Sequence, residues 1–383
     1  MRLLFVADGR SPIARNWIRY FSERGDEVFL ASTFECNLDF PVKRLDFTPV
    51  AFSAAKKRNL PPGKGSSRAL GLRTVIRQWL GPFTVARASR RLRALTEEVN
   101  PDLIHAMRIP YEGMLAADAY IGVPLLVSIW GNDFTLHAPS TPMMKHYTIW
   151  TLSVANALHA DCQRDIHLAH RLGLKAGKPT LVTPGNGGIR TEIFYPPQTP
   201  VNEPIVVNPR GFRAYVRNDA FFKAIPIVLA RRPDARFICS SMEGESQASA
   251  WVRELKIEHA VQLHPHRSHA GMAEVFRSAQ VVVSPSIHDG TPNSLLEGMA
   301  CGCFPVAGDL ESIREWITPA RNGLLVDAAS PESIADAVLI ALERADLRHE
   351  AAGLNREIIA SRAEYSRNMA KAGEFYENIL RNS

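Results

Sequence analysis

The sequence predicts an α/β protein made of two doubly wound, parallel-sheet domains facing across a cleft. Three observations carry that expectation. Strand-like apolar runs alternate with helical periodicity from the first residues, the pattern of parallel sheets covered by helices through right-handed crossovers. At 383 residues the chain exceeds one ordinary core and suits two of about 150–200 residues. The alternation breaks once, at GNGGIRTEIFYPPQTPVNEP (185–204), a stretch dense in Gly, Pro and Asn that reads as a linker.

Each element follows from its local pattern. LLFVA (3–7) is an apolar run closed by DGRSP, then Ile13, Trp17, Ile18 and Phe21 fall at helical spacing up to a stop at Gly25, and EVFLA (27–31) is the next strand. DLIHA (102–106), PLLVSIW (124–130), ALHAD (157–161) and TLVTP (180–184) continue the first set. After the linker the pattern restarts with PIVVNP (204–209), ARFICSS (235–241), AVQLH (260–264), QVVVSPS (280–286), CFPVAG (303–308) and GLLVD (323–327). These runs imply one domain over residues 1–190 and a second over 200–362. The amphipathic stretch 363–383 is expected to form a helix that returns to the first domain.

Composition narrows the class. Hydrophobic residues make up 46% and charged residues 22%, as in globular proteins that fold in water. No apolar run approaches the ~20 residues that span a bilayer. MRLLFVADGR turns polar after six residues, so no secretory leader is expected. Five cysteines without framework spacing fit a reducing cytoplasm, and Cys301 and Cys303 read as small buried residues rather than a metal pair. The net charge of +6 is local: eleven basic residues and no acid fall within 47–96, leaving 34 basic against 39 acidic residues elsewhere. That marks one surface and argues against a nucleic-acid-binding protein.

The stretch SPSIHDGTPNSLLEGMACGCFPVAGD (284–309) follows the apolar run VVV. Ligands of open parallel sheets sit beyond the carboxyl ends of the strands, which is where this turn and helix fall. Asn293 or Thr291 is a candidate cap. The first amides of the helix, Asn293, Ser294, Leu295 and Leu296, with the positive end of its dipole, suit a phosphate. Glu297 can take ligand hydroxyls, and Asp289, eight residues earlier, can reach the other end of the same ligand. An ordinary capped helix with a dipole-compensating Glu remains the alternative on spacing alone.

The same segment resembles the donor half of retaining family 4 glycosyltransferases of the GT-B fold. Their Glu-x7-Glu hallmark appears as Asp289-x7-Glu297, followed by Leu296-Glu297-Gly298-Met299-Ala300, Phe304-Pro305-Val306 and Asn322-Gly323-Leu324-Leu325-Val326. RLLFV at the start, PDLIHA (101–106), WGND (130–133), TPGNGGIRTEIFYP (183–196) and PRGFRAYVRND (209–219) extend the likeness. The resemblance implies a metal-independent, retaining hexosyltransferase. It would move a sugar from a nucleotide-diphosphate sugar, with UDP favoured, to a hydroxyl of a glycan, lipid or small molecule, with no cofactor. The first domain would be the acceptor side and the second would bind the nucleotide sugar. Arg210, Asp289 and Arg217 would be catalytic. Glu297 would hold the ribose, and Arg213, Thr291, Asn293 to Leu296, Trp130 and Asp133 would complete the donor site. Three departures stand out: Trp130-Gly131 where the family has His-Gly, Asp289 for Glu, and a single glycine in GRSPIARN (9–16). They motivate the alternative of a sugar-nucleotide-binding pseudoenzyme or partner subunit. His264, His266 and His269 read as a polar loop near the nucleotide rather than a metal site.

The basic segment has two parts. AFSAAKKRNLPPGKGSSR (51–68) is too rich in Gly, Pro and Ser for a regular element. ALGLRTVIRQWLGPFTVARASRRLRAL (69–95) sets Leu72, Val75, Ile76, Trp79 and Leu80 at helical spacing with arginines between. It is either a helix packed on the first domain or a surface, over 51–95, that meets an anionic acceptor or the inner face of an anionic membrane.

Overall fold

Two parallel sheets organise the chain, each in its own contact unit: Met1–Gly188 with Ser366–Ser383, and Ile189–Tyr365. The computed structural model describes residues 1–53, 75–120, 122–213 and 215–382. The basic residues Lys56, Lys57, Arg58 and Lys64, and Leu72, lie outside the described residues.

In the first unit β1 (Arg2–Ala7), β2 (Glu27–Ser32), β3 (Arg44–Phe47), β4 (Leu103–Ala106), β5 (Leu125–Ile129), β6 (Ala157–Ala160) and β7 (Thr180–Val182) form one sheet. Its order is β3-β2-β1-β4-β5-β6-β7. In the second, β8 (Ile205–Asn208), β9 (Arg236–Cys239), β10 (Val261–Leu263), β11 (Val281–Ser284), β12 (Phe304–Gly308) and β13 (Leu324–Val326) order as β10-β9-β8-β11-β12-β13. Both follow the doubly wound order in which the chain reverses direction beside its first strand, and both are Rossmann-like. The reversal falls between β1 and β4 in one unit and between β8 and β11 in the other.

The twelve sequence-predicted strands are present. The thirteenth, β3, is the edge strand RLDF, half of it exposed, and its charged residues gave no apolar run to read.

The helices cover the sheets for reasons visible locally. The Ser11 hydroxyl accepts from the Ala14 amide to cap α1 (Pro12–Glu23), Pro12 fits the first turn, and Trp17, Ile18 and Phe21 are buried. α2 (Val85–Val99) buries Leu92, Leu95 and Val99. Of the helical segment read over 69–95, the described residues 75–95 form helix in two pieces. Helix over 75–80 stops at a tight turn, Gly81–Thr84, before α2 begins, because Pro82 cannot continue the ladder. Val75, Ile76, Trp79 and Leu80 are exposed, not packed.

In the second unit α3 (Asn218–Arg231) and α4 (Pro331–Glu343) pack together on the sheet. α5 (Tyr365–Arg381) closes the first unit. There the buried Trp17 Nε1 donates to the Tyr376 hydroxyl at 2.8 Å. That hydroxyl meets His105 Nδ1, whose Nε2 lies 2.7 Å from the Ser128 hydroxyl. Ser128 continues to His159 Nδ1 at 2.8 Å, and His159 Nε2 reaches Thr183 at 3.1 Å. This buried chain crosses the sheet from α5 to the end of β7.

Candidate active site

In the second unit the site begins with two asparagines. Asn208, fully buried at the end of β8, donates from Nδ2 to Asn218 Oδ1 (2.9 Å) and accepts the Arg210 amide (3.1 Å). Asn218 Nδ2 then donates to the Gly211 carbonyl at 2.8 Å. Gly211 has φ +59°, a conformation glycine reaches without strain. Further along, Val216 bridges Ser286, the Ile287 amide donates to the Tyr215 carbonyl (2.9 Å), and the Arg217 amide donates to the Pro285 carbonyl (2.8 Å). The loop after β8 is thereby clipped to the loop after β11.

That clip brings Arg210 and Asp289 into a 2.8 Å ion pair, both side chains mostly buried. The Ser312 hydroxyl donates to the Asp289 carbonyl at 2.7 Å and fixes the loop. Glu297 lies on α6 (Asn293–Ala300), the helix that follows. Burial pushes its carboxyl up to about 8, with the Arg210 guanidinium pulling the other way. Gly298 permits this placement: a Cβ there would meet Val282 Cγ1 at 2.9 Å, so α6 lies tight against β11.

Two expectations for the helix start are corrected. Neither Asn293 nor Thr291 caps α6: Pro292 precedes it with no side-chain cap bond, and the Thr291 hydroxyl accepts from Trp316 Nε1 at 3.3 Å. Nor are all four leading amides open. The Pro292 carbonyl takes the amides of Leu295 (2.9 Å) and Leu296 (3.1 Å), which leaves those of Asn293 and Ser294. Around them Arg210 Nε, Ser286 Oγ, Asn293 Oδ1 and Ser294 Oγ are buried without a hydrogen-bond partner. Each such atom costs about 1–3 kcal/mol, so their concentration at the strand ends marks a place shaped for a polar ligand.

The other predicted arginines are placed differently. Arg217 forks onto Asp219, both bonds 2.8 Å, and Arg213 is exposed on the loop. Trp130 and Asp133 belong to the first unit, at the end of β5. Asp133 is buried, accepts the Trp130 amide (3.1 Å) and holds Arg108 Nε at 2.7 Å. These contacts fix Arg108 beside it.

The first unit has its own pocket, about 280 Å³, at the carboxyl ends of β1, β4 and β5. Arg77, Arg108, Tyr111, Glu112 and Trp130 are among its lining residues. Sequence reading did not single out Arg108, Tyr111 and Glu112. Their signal was position: MRIPYEG follows β4 directly, at the reversal of strand order. Tyr111 holds φ +69°, a conformation unusual for a residue with a side chain. Glu112 is buried, accepts from the Thr33 hydroxyl (2.8 Å), and has its carboxyl raised by burial. His137 is pushed down to about 3 by burial and by Arg108 and Arg77.

Among known proteins, the profile described as "Glycosyl transferase 4-like domain" matches residues 9–185, and "Glycosyl transferases group 1" matches 205–344. The chain belongs to the group 1, family 4 glycosyltransferases. A D-inositol 3-phosphate glycosyltransferase of Thermobispora bispora is 26% identical over 222 residues, 53% of this chain and 51% of that protein. Its counterpart in Paenarthrobacter aurescens is 32% identical over 123 residues, 31% of this chain and 30% of that protein. The chain thus spans about half, or less, of the length of these curated relatives. Among solved structures, sucrose-phosphate synthase of Thermosynechococcus elongatus matches with TM-score 0.76 and 15% identity, covering both chains fully. Anabaena HepE, solved with UDP-glucose, gives 0.73 and 14%, covering 99% of this chain and 100% of that one. These likenesses establish the GT-B fold of the family.

Proposed function

We propose that this protein transfers a sugar from a nucleotide-diphosphate sugar, UDP-linked in preference, to an acceptor hydroxyl, retaining the anomeric configuration and needing no divalent metal. The observation that carries the reading is the Arg210–Asp289 pair at the ends of β8 and β11, beside Glu297 and the open amides of Asn293 and Ser294. In this reading Glu297 accepts the ribose hydroxyls, and the two amides and Arg210 receive the diphosphate. Asp289, held by Arg210, accepts a sugar hydroxyl. As the bond between the anomeric carbon and the diphosphate oxygen breaks, negative charge grows where the fixed guanidinium and amides already point. Donors placed in this way are worth roughly 3 kcal/mol each in the transition state. The acceptor oxygen bonds to the anomeric carbon on the face the diphosphate leaves, and its proton passes to the departing diphosphate oxygen. The UDP-glucose bound by HepE supports the choice of donor.

Glu297→Ala is expected to weaken donor binding by about 1.5–3 kcal/mol, and Arg210→Ala to lower kcat more than affinity. Proton NMR of the product should show the donor's anomeric configuration, and turnover should survive EDTA. Unchanged donor binding and turnover in both variants would remove the assignment; nucleotide-sugar binding without transfer would point to the pseudoenzyme instead.

A peripheral membrane contact on the cytoplasmic side is the second part of the reading. No described helix is long and apolar enough to cross a bilayer. Yet Val75, Ile76, Trp79, Leu80 and Phe83 are 43–69% exposed, beside the exposed Arg87, Arg90, Arg91 and Arg93 of α2. Apolar wedges flanked by cations suit an anionic bilayer surface, where each basic residue adds about 1 kcal/mol. Co-sedimentation with anionic but not zwitterionic vesicles, lost at high salt and reduced in Trp79→Ser/Phe83→Ser, is the expected result. Indifference to lipid charge would reject it.

A further inference from the structure

The turn that follows β5 is held by a buried cluster at the end of β6. Asp161, directly after that strand, accepts the Gly131 amide, 3.2 Å from Oδ2 and 3.4 Å from Oδ1. Arg164 Nη2 donates to the Gly131 carbonyl at 2.6 Å, and Arg164 Nε and Nη2 donate to Asp165 Oδ1 at 2.9 and 2.8 Å. The other oxygen of that carboxylate, Asp165 Oδ2, is buried and receives no N–H or O–H among the described residues. What the carboxylate meets instead is the thiol of Cys162. A carboxylate oxygen of Asp161, Cys162 Sγ and a carboxylate oxygen of Asp165 lie within 4.8 Å of one another, and all three residues are buried.

Local rules do not explain Cys162. It stands at the N-cap of the helix Gln163–Arg171 with extended backbone, φ −151° and ψ 157°, yet its side chain makes no capping bond. Ser, Thr, Asp or Asn is favoured there, and going without such a cap costs about 1 kcal/mol. What cysteine offers instead is sulfur, and a helix N-terminus stabilises its thiolate. Charge points the same way. Arg164 interacts electrostatically with Asp161, Cys162 and Asp165. Two carboxylates and a thiolate outweigh its single positive charge by two, which a divalent cation balances. The donors select the cation, because a thiolate with two carboxylates suits Zn2+, whereas Mg2+ and Ca2+ take oxygen ligands. Bonds of about 2.0–2.3 Å to a tetrahedral Zn2+ set its donors roughly 3.5 Å apart, so these three need draw together only slightly. We propose that Asp161, Cys162 and Asp165 bind a Zn2+ ion, with water in the fourth position, and that the ion fixes the Trp130-Gly131 turn through Asp161. Arg164, bonded to Asp165 Oδ1, orients that ligand from the second layer. The ion is structural, and nothing in the proposal depends on the transferase reading, whose reacting groups belong to the second unit.

Cobalt titration of the full chain, stripped of metal by a chelator and carrying no affinity tag, tests this. Co2+ occupies Zn2+ sites, and its bond to a thiolate gives a near-ultraviolet charge-transfer band. A single Co2+ per chain is expected to produce that band, and added Zn2+ to bleach it. Cys162→Ser should abolish the band, whereas Cys36→Ser, at a half-buried cysteine, should leave it. Serine is a favoured N-cap residue, so this variant keeps its fold and loses only the ligand. Asp165→Asn should weaken Zn2+ at least about tenfold. Zn2+ should raise the melting temperature of the wild type but not of Cys162→Ser, and Mg2+ should raise neither. The absence of a band, a band that survives Cys162→Ser, or equal stabilisation of that variant by Zn2+ would overturn the proposal. None of these measurements reads sugar-nucleotide binding or transfer, so failure here leaves the transferase reading standing, and the reverse holds.

Discussion

Glu297, to which the proposed function gives the ribose hydroxyls, is held where its charge costs the fold stability. Burial raises its carboxyl from 4.5 to about 8, so across that window the folded chain holds the proton more tightly than the unfolded chain. Stability contributed by this group therefore falls as pH rises from 4.5 toward 8, and the full penalty is present above 8. Glu297→Gln cannot ionise. Its melting temperature is expected to match wild type near pH 5 and to exceed it near pH 8.5, by an amount equivalent to about 1–2 kcal/mol. Thermal denaturation at the two pH values checks this, and an advantage equal at both would contradict it. Donor binding that uses the ionised carboxylate should tighten over the same window as pH rises.

At the scale of elements, the contact between α6 and β11 sets where that carboxyl stands. A methyl group at Gly298 would press on Val282 at 2.9 Å from Cγ1 and 3.1 Å from Cβ, and a β-branched side chain has few ways to yield. Gly298→Ala gains about 1 kcal/mol of helix propensity but meets an overpacking cost of about 1–3 kcal/mol. A net loss of about 1 kcal/mol is expected by urea denaturation, with Val282→Ala relieving it in a double-mutant cycle. Much of this architecture was readable in advance. Apolar runs such as VVV before Ser284 announced buried parallel strands, and the spacing of Asp289 and Glu297 pointed to the ends of β11 and the next helix. The loop contacts were not readable. That Arg210 would meet Asp289 depends on Asn208 and Asn218 bonding across the loop between them, and that Leu295 and Leu296 lose their open amides depends on the carbonyl of Pro292. Charged β3 lacked the apolar signal that revealed the other strands, and Pro82 overrode the helical spacing of its neighbours.

For the molecule as a whole, the buried chain from Trp17 to Thr183 is its acid-sensitive joint. Burial keeps His159 neutral and moves it from 6.5 to about 4, and His105 is pushed down in the same direction by burial and by His159. Both accept a proton more readily when unfolded, so their contribution is intact above about 6.5 and is lost as pH falls toward 4. His159→Gln should lower the melting temperature at neutral pH, by the equivalent of about 1–2 kcal/mol for its lost bonds, yet flatten the decline between pH 6.5 and 4. An equally steep decline in the variant would exclude His159 as its source. The same joint is completed by Tyr376 of α5, which is made 359 residues after Trp17, while the whole of Ile189–Tyr365 lies between them. A chain leaving the ribosome usually folds its earlier domain first. Here the second unit has all its residues before the first has its last helix, so Trp17 Nε1 and His105 Nδ1 must wait for the Tyr376 hydroxyl until α5 has been made.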